Sequence, residues 1–175
     1  MAKAGAQHIR VHYKHCREIS EAIKGRTVTA AKEYLQNVLE YKDGIPFTKY
    51  TGGIGRHSVA KKYKVCGDKI AWPQKATKVY LGLLTNIQSN AEAKGIEGEM
   101  KITHSQANQA PKMRRRTYRA HGRVNAYESS PAHIQIIAEE MADEVQKEAD
   151  APAPKLTKKQ AAQAAAKAKK IKVGE

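Results

Sequence analysis

Large aromatic residues and cysteines are scarce in this chain of 175 residues. It has one tryptophan, one phenylalanine and two cysteines. With so few large rings, a core has to be built from isoleucine, valine, leucine, alanine and tyrosine. Two cysteines, Cys16 and Cys66, cannot form the disulfide framework of a small secreted domain, so two reduced thiols in an intracellular protein are expected.

Long apolar runs are also missing. No stretch approaches the ~18 residues that a membrane-spanning helix needs. The first ten residues, MAKAGAQHIR, have no apolar segment of the kind found in secretory signals. Ala2 stands where N-myristoylation would require a glycine. We therefore expect no membrane among the partners of this chain.

Acidic residues are absent from one long internal segment. None occurs from Met100 to Tyr127, although the whole chain has 17 acids against 32 lysines and arginines, with a formal net charge of +15. Such an excess repels itself in isolation and favours a polyanionic partner, and the pI of 9.8 is typical of nucleic-acid-binding proteins. A solvated basic loop that binds nothing specific is the alternative interpretation of this segment.

Apolar periodicity predicts two clear helices and two shorter elements. The first helix runs from about Thr29 to Lys42, and the second follows Pro73 and ends at Gly95. Residues 20–24 are helix-like and end at Gly25, and alternation in HIRVHY, residues 8–13, predicts a half-buried strand. The apolar helix positions are Ala31, Tyr34, Leu35, Val38, Leu39, Ala76, Val79, Tyr80, Leu83, Leu84, Ile87 and Ala91.

Residues 101–138 are interpreted as one long β-hairpin with its turn between Tyr118 and Gly122. Each arm would have about 15 residues and reach up to ~50 Å. The base has Ile102, Ile134 and Ile136 and can join a sheet, whereas the distal half has clustered arginines and few apolar residues. An isolated hairpin is marginal in water, so the distal half is expected to be ordered only within nucleic acid.

The predicted fold class is α+β: a small helical domain packed on a short antiparallel sheet, with one long protruding β-hairpin and a basic C-terminal tail. The domain, with its hairpin arm 101–138, spans residues 1–150, and the acidic run 139–150 ends it. Residues 151–175 form an Ala/Lys-rich tail without an apolar stripe, expected to be disordered until it meets a polyanion.

Other chemistries are weakly supported. GGIG, residues 52–55, fits the GXXG loop of KH domains, but a loop that sharpens a turn or approaches phosphates explains it as well. His8, His12, His15, Cys16 and Cys66 lack the paired spacing of zinc sites. We find no catalytic constellation and no sign of a bound metal or cofactor, so we predict that the chain is not an enzyme. A zinc-dependent enzyme is kept as a remote alternative.

Cations of the acid-free segment and of the Gly-rich region are the predicted RNA-binding residues. Arginine makes forked bonds to phosphates and stacks on unpaired bases. Tyr50 and Tyr127 are candidates for base stacking, whereas Tyr34 and Tyr80 are assigned to the core. The RNA-binding set is Lys112, Arg114, Arg115, Arg116, Arg119, Arg123, Lys49, Arg56, Lys61 and Lys62.

Long motifs in this chain resemble a known family. APKMRRRTYRAHGRVNAYESSPAHI, RVHYKHCREISEAIKG, IPFTKYTGGIGR, WPQKA and SNAEAKGI occur in the same order in the large-subunit ribosomal protein family numbered twenty-two in bacteria and seventeen in eukaryotes. The similarity covers residues 9–137 and is to the eukaryotic form. Three departures stand out: Ala126 replaces a proline of the return arm, the segment before His8 is short, and Tyr63 stands near a missing tryptophan.

The resemblance implies a structural constituent of the large ribosomal subunit that binds ribosomal RNA and supports assembly and translation. Its hairpin would reach the wall of the polypeptide exit tunnel, with the tip formed by Thr117, Tyr118, Arg119, Ala120, His121 and Gly122. Implied partners are large-subunit ribosomal RNA, neighbouring large-subunit proteins and the nascent polypeptide, with no homo-oligomer. The expected location is the cytoplasm, in cytosolic ribosomes, and the nucleolus during assembly. The alternative function is a non-ribosomal RNA-binding regulator.

Overall fold

The structure, a computed structural model, describes residues 1–64, 66–96 and 98–141. The predicted basic tail and the boundary at residue 150 lie outside these residues. Within them the chain has three α-helices and three antiparallel sheets; the first strand, β1, begins at Ala2, and the last, β7, ends at Glu140. The α+β fold class is therefore confirmed.

Three helices form one side of the core: α1 (Tyr13–Ile23), α2 (Val28–Leu39) and α3 (Gln74–Glu92). The side chain of Thr27 accepts a hydrogen bond from the Ala30 N–H and so caps the start of α2. The two predicted stripes are confirmed, with Tyr34 and Tyr80 buried as expected. Pro73 precedes the first residue of α3 instead of occupying it.

The interpretation of residues 8–13 as a strand is wrong. The first strand, β1, runs from Ala2 to Ile9, and α1 begins at Tyr13, much earlier than predicted. His12 is extended and its Nδ1 accepts a hydrogen bond from the Lys14 N–H at 3.2 Å, which caps α1. The alternation over six residues was too short to distinguish the end of one strand from the start of a helix.

The central sheet has the order β1-β7-β4, with β4 at Met100–Gln109 and β7 at Ala132–Glu140. Both neighbours pair antiparallel with β7. Helix α1 packs against β4 and α3 against β1. The buried positions of β4 and β7 that complete the core are Met100, Ile102, Ala107, Ala132, Ile134, Ile136 and Ala138.

Beyond this sheet, the same two chain segments continue as β5 (Met113–Tyr118) and β6 (Val124–Ser129), which pair antiparallel. The ladder is interrupted around Pro111, where the Ala110 N–H donates to the Pro131 carbonyl at 3.0 Å. A separate two-stranded sheet joins β2 (Ile45–Pro46) to β3 (Ile70–Ala71). We call residues 113–129 the distal arm. It contributes no residue to the buried core.

Candidate nucleic-acid interface

Strand register divides the distal arm into two faces. Residues directly opposite each other in an antiparallel ladder lie on the same face, and successive residues alternate. The Arg115 face therefore carries Met113, Arg115, Thr117, Asn125, Tyr127 and Ser129. The Arg114 face carries Arg114, Arg116, Tyr118, Val124, Ala126 and Glu128.

The Arg114 face has an acidic partner that sequence analysis overlooked. Glu128 lies opposite Arg114, and its carboxylate is 3.3 Å from Arg114 Nε and 3.1 Å from Lys112 Nζ. Both cations remain largely exposed, so the pairs contribute at most about 1 kcal/mol each. The signal was available, because Glu128 is the first acid after the acid-free segment and antiparallel register places it beside these cations. Two of the predicted RNA-binding cations are thus held in place by one carboxylate.

The Arg115 face combines a cation with an aromatic ring. The Arg115 guanidinium lies 5.1 Å from the centre of the Tyr127 ring, which is 57 % exposed. In the described part of the chain, no carboxylate lies within salt-bridge distance of Arg115, Arg116, Arg119 or Arg123. Their fork donors are available to phosphates, and the Arg115–Tyr127 pair presents a flat surface on which a base could stack.

The tip reverses the chain between Tyr118 and Val124, where the turn was predicted. Residues 120–123 form a tight turn in which His121 and Gly122 both have positive φ, +59° and +67°. The Arg119 N–H donates to the Arg123 carbonyl at 2.8 Å and closes the loop. Of the predicted tip residues only Thr117 is half-buried; the others are exposed, and Tyr118 is 74 % exposed.

A buried carboxylate on α1 positions the loop that contains Lys49. Glu18 is 1 % exposed and accepts hydrogen bonds from the backbone N–H groups of Thr48 (3.0 Å), Lys49 (3.1 Å) and Tyr50 (2.9 Å). Burial alone would raise the pKa of Glu18, but these N–H donors and the Arg17 guanidinium, 3.1 Å away, outweigh it and lower the pKa. Nothing in the sequence pattern singled out Glu18 for this role.

Tyr50 is held by its surroundings. Its ring packs edge-on against Tyr13, with a centroid distance of 6.0 Å, and the ammonium groups of Lys14 and Lys49 lie 5.6 and 5.8 Å from its centre. The ring is half-buried, whereas Tyr127 is exposed. Of the two tyrosines proposed for stacking, Tyr127 therefore has the more accessible face.

The Gly-rich segment continues as an irregular loop between β2 and the 3₁₀ turn Ser58–Tyr63. Gly53 has a φ of +74°, and nothing lies within 4 Å of the Cβ that a side chain would add there or at Gly52. A backbone that open can be approached closely by a phosphate. Arg56, at the end of the loop, is exposed and pairs through its backbone with Lys69.

Lys61 and Lys62 differ in their surroundings. Lys61 is exposed, whereas Lys62 Nζ lies 2.7 Å from Oδ2 of the buried Asp43. The Tyr63 hydroxyl donates to Oδ1 of the same carboxylate at 2.5 Å. Burial would raise the pKa of Asp43, but Lys62, Tyr63 and the Gly44 N–H together lower it. Tyr63, the residue near the missing tryptophan, thus anchors this loop.

The histidines and cysteines form no candidate metal centre within the described residues. His12 caps α1, and His8 packs against His133 with ring centres 4.6 Å apart. Cys16 is buried, and burial raises the pKa of its thiol to about 11, which makes it a poor ligand or nucleophile. Among the helices that the structure describes, none combines the length and apolarity that crossing a membrane requires.

The relationship to known proteins agrees with this geometry. Residues 4–139 match the family described as Ribosomal protein L22p/L17e. Large ribosomal subunit protein uL22A of Saccharomyces cerevisiae is 44 % identical over 166 residues, which cover 94 % of this chain and 89 % of the yeast protein. Large ribosomal subunit protein uL22 of Zea mays is 47 % identical over 150 residues, covering 85 % and 87 % of the two chains. This chain therefore belongs to the L22p/L17e family of ribosomal proteins, which is structural rather than enzymatic.

Proposed function

We propose that this chain is a structural constituent of the large ribosomal subunit that binds ribosomal RNA through its distal arm. One observation carries the proposal: β5 and β6 are fully paired in register, yet they contribute nothing to the buried core. A two-stranded hairpin of this kind is marginal in water. Ribosomal RNA around the arm would supply the missing stabilisation, since phosphates neutralise the arginines and release counterions.

Three groups of cations would contact the RNA. The first group is Lys112 with Arg114, Arg115, Arg116, Arg119 and Arg123 of the distal arm. The second group is Lys49, Arg56, Lys61 and Lys62 of the body, by which we mean residues 1–112 and 130–141. Arg115 and Arg116 point to opposite faces, so the arm can be contacted by RNA on both sides. Residues 151–175, a separate basic tail, would add a third contact. Neighbouring large-subunit proteins are further partners, and neither a membrane nor a second copy of the chain is among them.

The tip, residues 117–122, would reach the wall of the polypeptide exit tunnel and meet the nascent polypeptide. The exposure of this segment and the family membership of the chain support this part of the proposal. A photoreactive side chain in place of Tyr118 should crosslink to nascent chains in stalled ribosomes. The same group in place of Met141, which is also exposed and lies at the base, serves as the control and should not. Equal crosslinking from both positions would contradict the tunnel location.

Sucrose-gradient sedimentation tests the ribosomal function itself. The chain should sediment with large subunits in cytosolic extract and remain bound through a moderate salt wash; in the nucleolus it should accompany assembling subunits. Recovery at the top of the gradient would instead favour the alternative, a free RNA-binding regulator. Because crosslinking and sedimentation are independent, a chain that sediments with subunits but fails to crosslink would lose only the tunnel location.

A further inference from the structure

A cavity of about 500 Å³ lies where the distal arm leaves the body. Arg10 and Val11, between β1 and α1, line one part of it, and Met113 and Arg115, at the start of β5, line another. His12 also lines it beside Val11, and Ser129, Ser130 and Pro131 line it from the end of β6 and the residues that follow. The arm residues among these, Met113, Arg115 and Ser129, all belong to the Arg115 face. One face of the arm therefore continues into this cavity, and the other does not.

The cavity has two cations that lack acidic partners. Neither Arg10 nor Arg115 has a carboxylate within salt-bridge distance among the residues that the structure covers. The contrast with the Arg114 face is direct, since Glu128 pairs with Lys112 and Arg114 there. Two unpaired guanidinium groups from different parts of the fold converge on one space, and a group of negative charge is the ligand that would satisfy both.

The remaining lining combines apolar side chains with polar ones. Val11 and Pro131 are buried, and Met113 presents a thioether that is 39 % exposed. Methionine surfaces adapt to flat, polarizable groups. The Ser129 hydroxyl can both donate and accept, as the edge of a base requires. A volume of 500 Å³ suits one small molecule rather than a helix of nucleic acid, because such pockets measure about 300–1,000 Å³.

We propose that this cavity binds a single unpaired nucleotide of the ribosomal RNA, extruded from its helix. Its phosphate lies between the guanidinium groups of Arg10 and Arg115, and its base packs against Met113 and Pro131. The inference rests on the proposed function and deepens it, because it assigns one position on the body–arm junction to one kind of RNA feature. Binding of this nucleotide fixes the position of the first residues of the distal arm relative to the RNA.

The test uses the full chain and RNA hairpins with one bulged nucleotide, made in four versions, alongside the fully paired hairpin. The wild-type chain should bind at least one bulged version roughly 5- to 150-fold more tightly than the paired hairpin, the range expected for one stacked base. Arg10→Ala and Arg115→Ala should each abolish that preference. Arg116→Ala is the matched control: it removes the same charge from the adjacent residue on the opposite face, so it should weaken binding of bulged and paired hairpins alike and leave their ratio unchanged.

Several outcomes would overturn the proposal. Equal binding of all bulged and paired hairpins by the wild type would do so, and so would loss of the preference in Arg116→Ala. In assembled subunits, a photoreactive group in place of Met113 should crosslink to one unpaired nucleotide. A crosslink to a protein segment would show that protein, and not RNA, occupies the cavity. Failure of the ribosomal function gives a different result, because the wild-type chain would then remain at the top of the sucrose gradient.

Discussion

Both halves of the hairpin are paired antiparallel strands, but only the base is stabilised by burial in the core. At the base, β4 and β7 bury Ile102, Ile134 and Ile136 completely and pack against helices. In the distal arm, β5 and β6 pair residue for residue, yet Tyr118, Tyr127 and Val124 are each about half exposed or more, at 74, 57 and 47 %. Regular strand pairing is therefore no sign that a segment stabilises itself. A segment such as the distal arm, which buries no core residue, needs contacts with another molecule to be stable.

Proteolysis of the free chain should separate the two halves most strongly. Segments with few buried contacts open at a free-energy cost near zero, whereas core strands open only with global unfolding, at about 5–15 kcal/mol. Among the described residues, trypsin should therefore cut first between Lys112 and Arg123, and cleavage at Lys101 should be far slower. Added ribosomal RNA should protect the distal sites. If the free chain were cut as slowly in the distal arm as at Lys101, the two halves of the hairpin would not differ in stability.

A core substitution should have the next largest effect. Ile136→Ala removes a fully buried side chain and should lower the free energy of unfolding by about 2–5 kcal/mol. Val124→Ala, in the distal arm, should change it by less than about 0.5 kcal/mol. Urea unfolding followed by the fluorescence of Trp72, the single tryptophan, measures both. Similar losses for the two variants would mean that the distal arm belongs to the cooperative core.

Glu18→Gln should destabilise the body by about 1–3 kcal/mol, since it weakens three partly buried hydrogen bonds from backbone N–H groups. Because folding lowers the pKa of Glu18, its contribution is present above the ordinary pKa and is lost as the pH falls through the lowered value. The acid-induced loss of stability should therefore be shallower in the variant. Glu21→Gln, an exposed acid one turn further along α1, is the control and should leave the pH profile unchanged.

The smallest predicted effect concerns RNA affinity. The double variant Arg115→Ala, Arg116→Ala should lower the slope of log affinity against log salt by about one unit, or slightly less, per lost phosphate contact. Its free energy of unfolding should stay within about 0.5 kcal/mol of the wild type, because both side chains are exposed. Filter binding to large-subunit RNA across salt concentrations measures the slope. An unchanged slope would show that these two arginines contact no phosphate.

What could be predicted from sequence follows from how local each signal is. Helices α2 and α3 have long periodic patterns, and they were placed correctly within a few residues. Strand β1, AKAGAQHI, has almost no strand-forming residues. It forms a strand because it pairs with β7, about 130 residues further along the chain. Such a distant partner cannot be recognised from the residues of β1 themselves.

The same distinction applies to the site. The cationic arm was evident because charge is a property of composition. The role of Glu18 was not, because the position of an acid in a short helix does not reveal which distant backbone donors will hydrogen-bond to it. The cavity at the body–arm junction was equally hidden, since Arg10 and Arg115 are more than a hundred residues apart in sequence and only the fold brings them together.

The turn at the tip has a consequence for the order of folding. The Arg123 N–H donates to the Ala120 carbonyl, and both residues between them have positive φ, the sign pattern of a type I′ turn. Such turns match the natural twist of paired strands and fix their alignment. The arm therefore does not need its base to choose a register. Its two strands can pair from the tip towards the base. If the distal arm becomes ordered only when RNA surrounds it, the turn would already have fixed which residues of β5 and β6 pair.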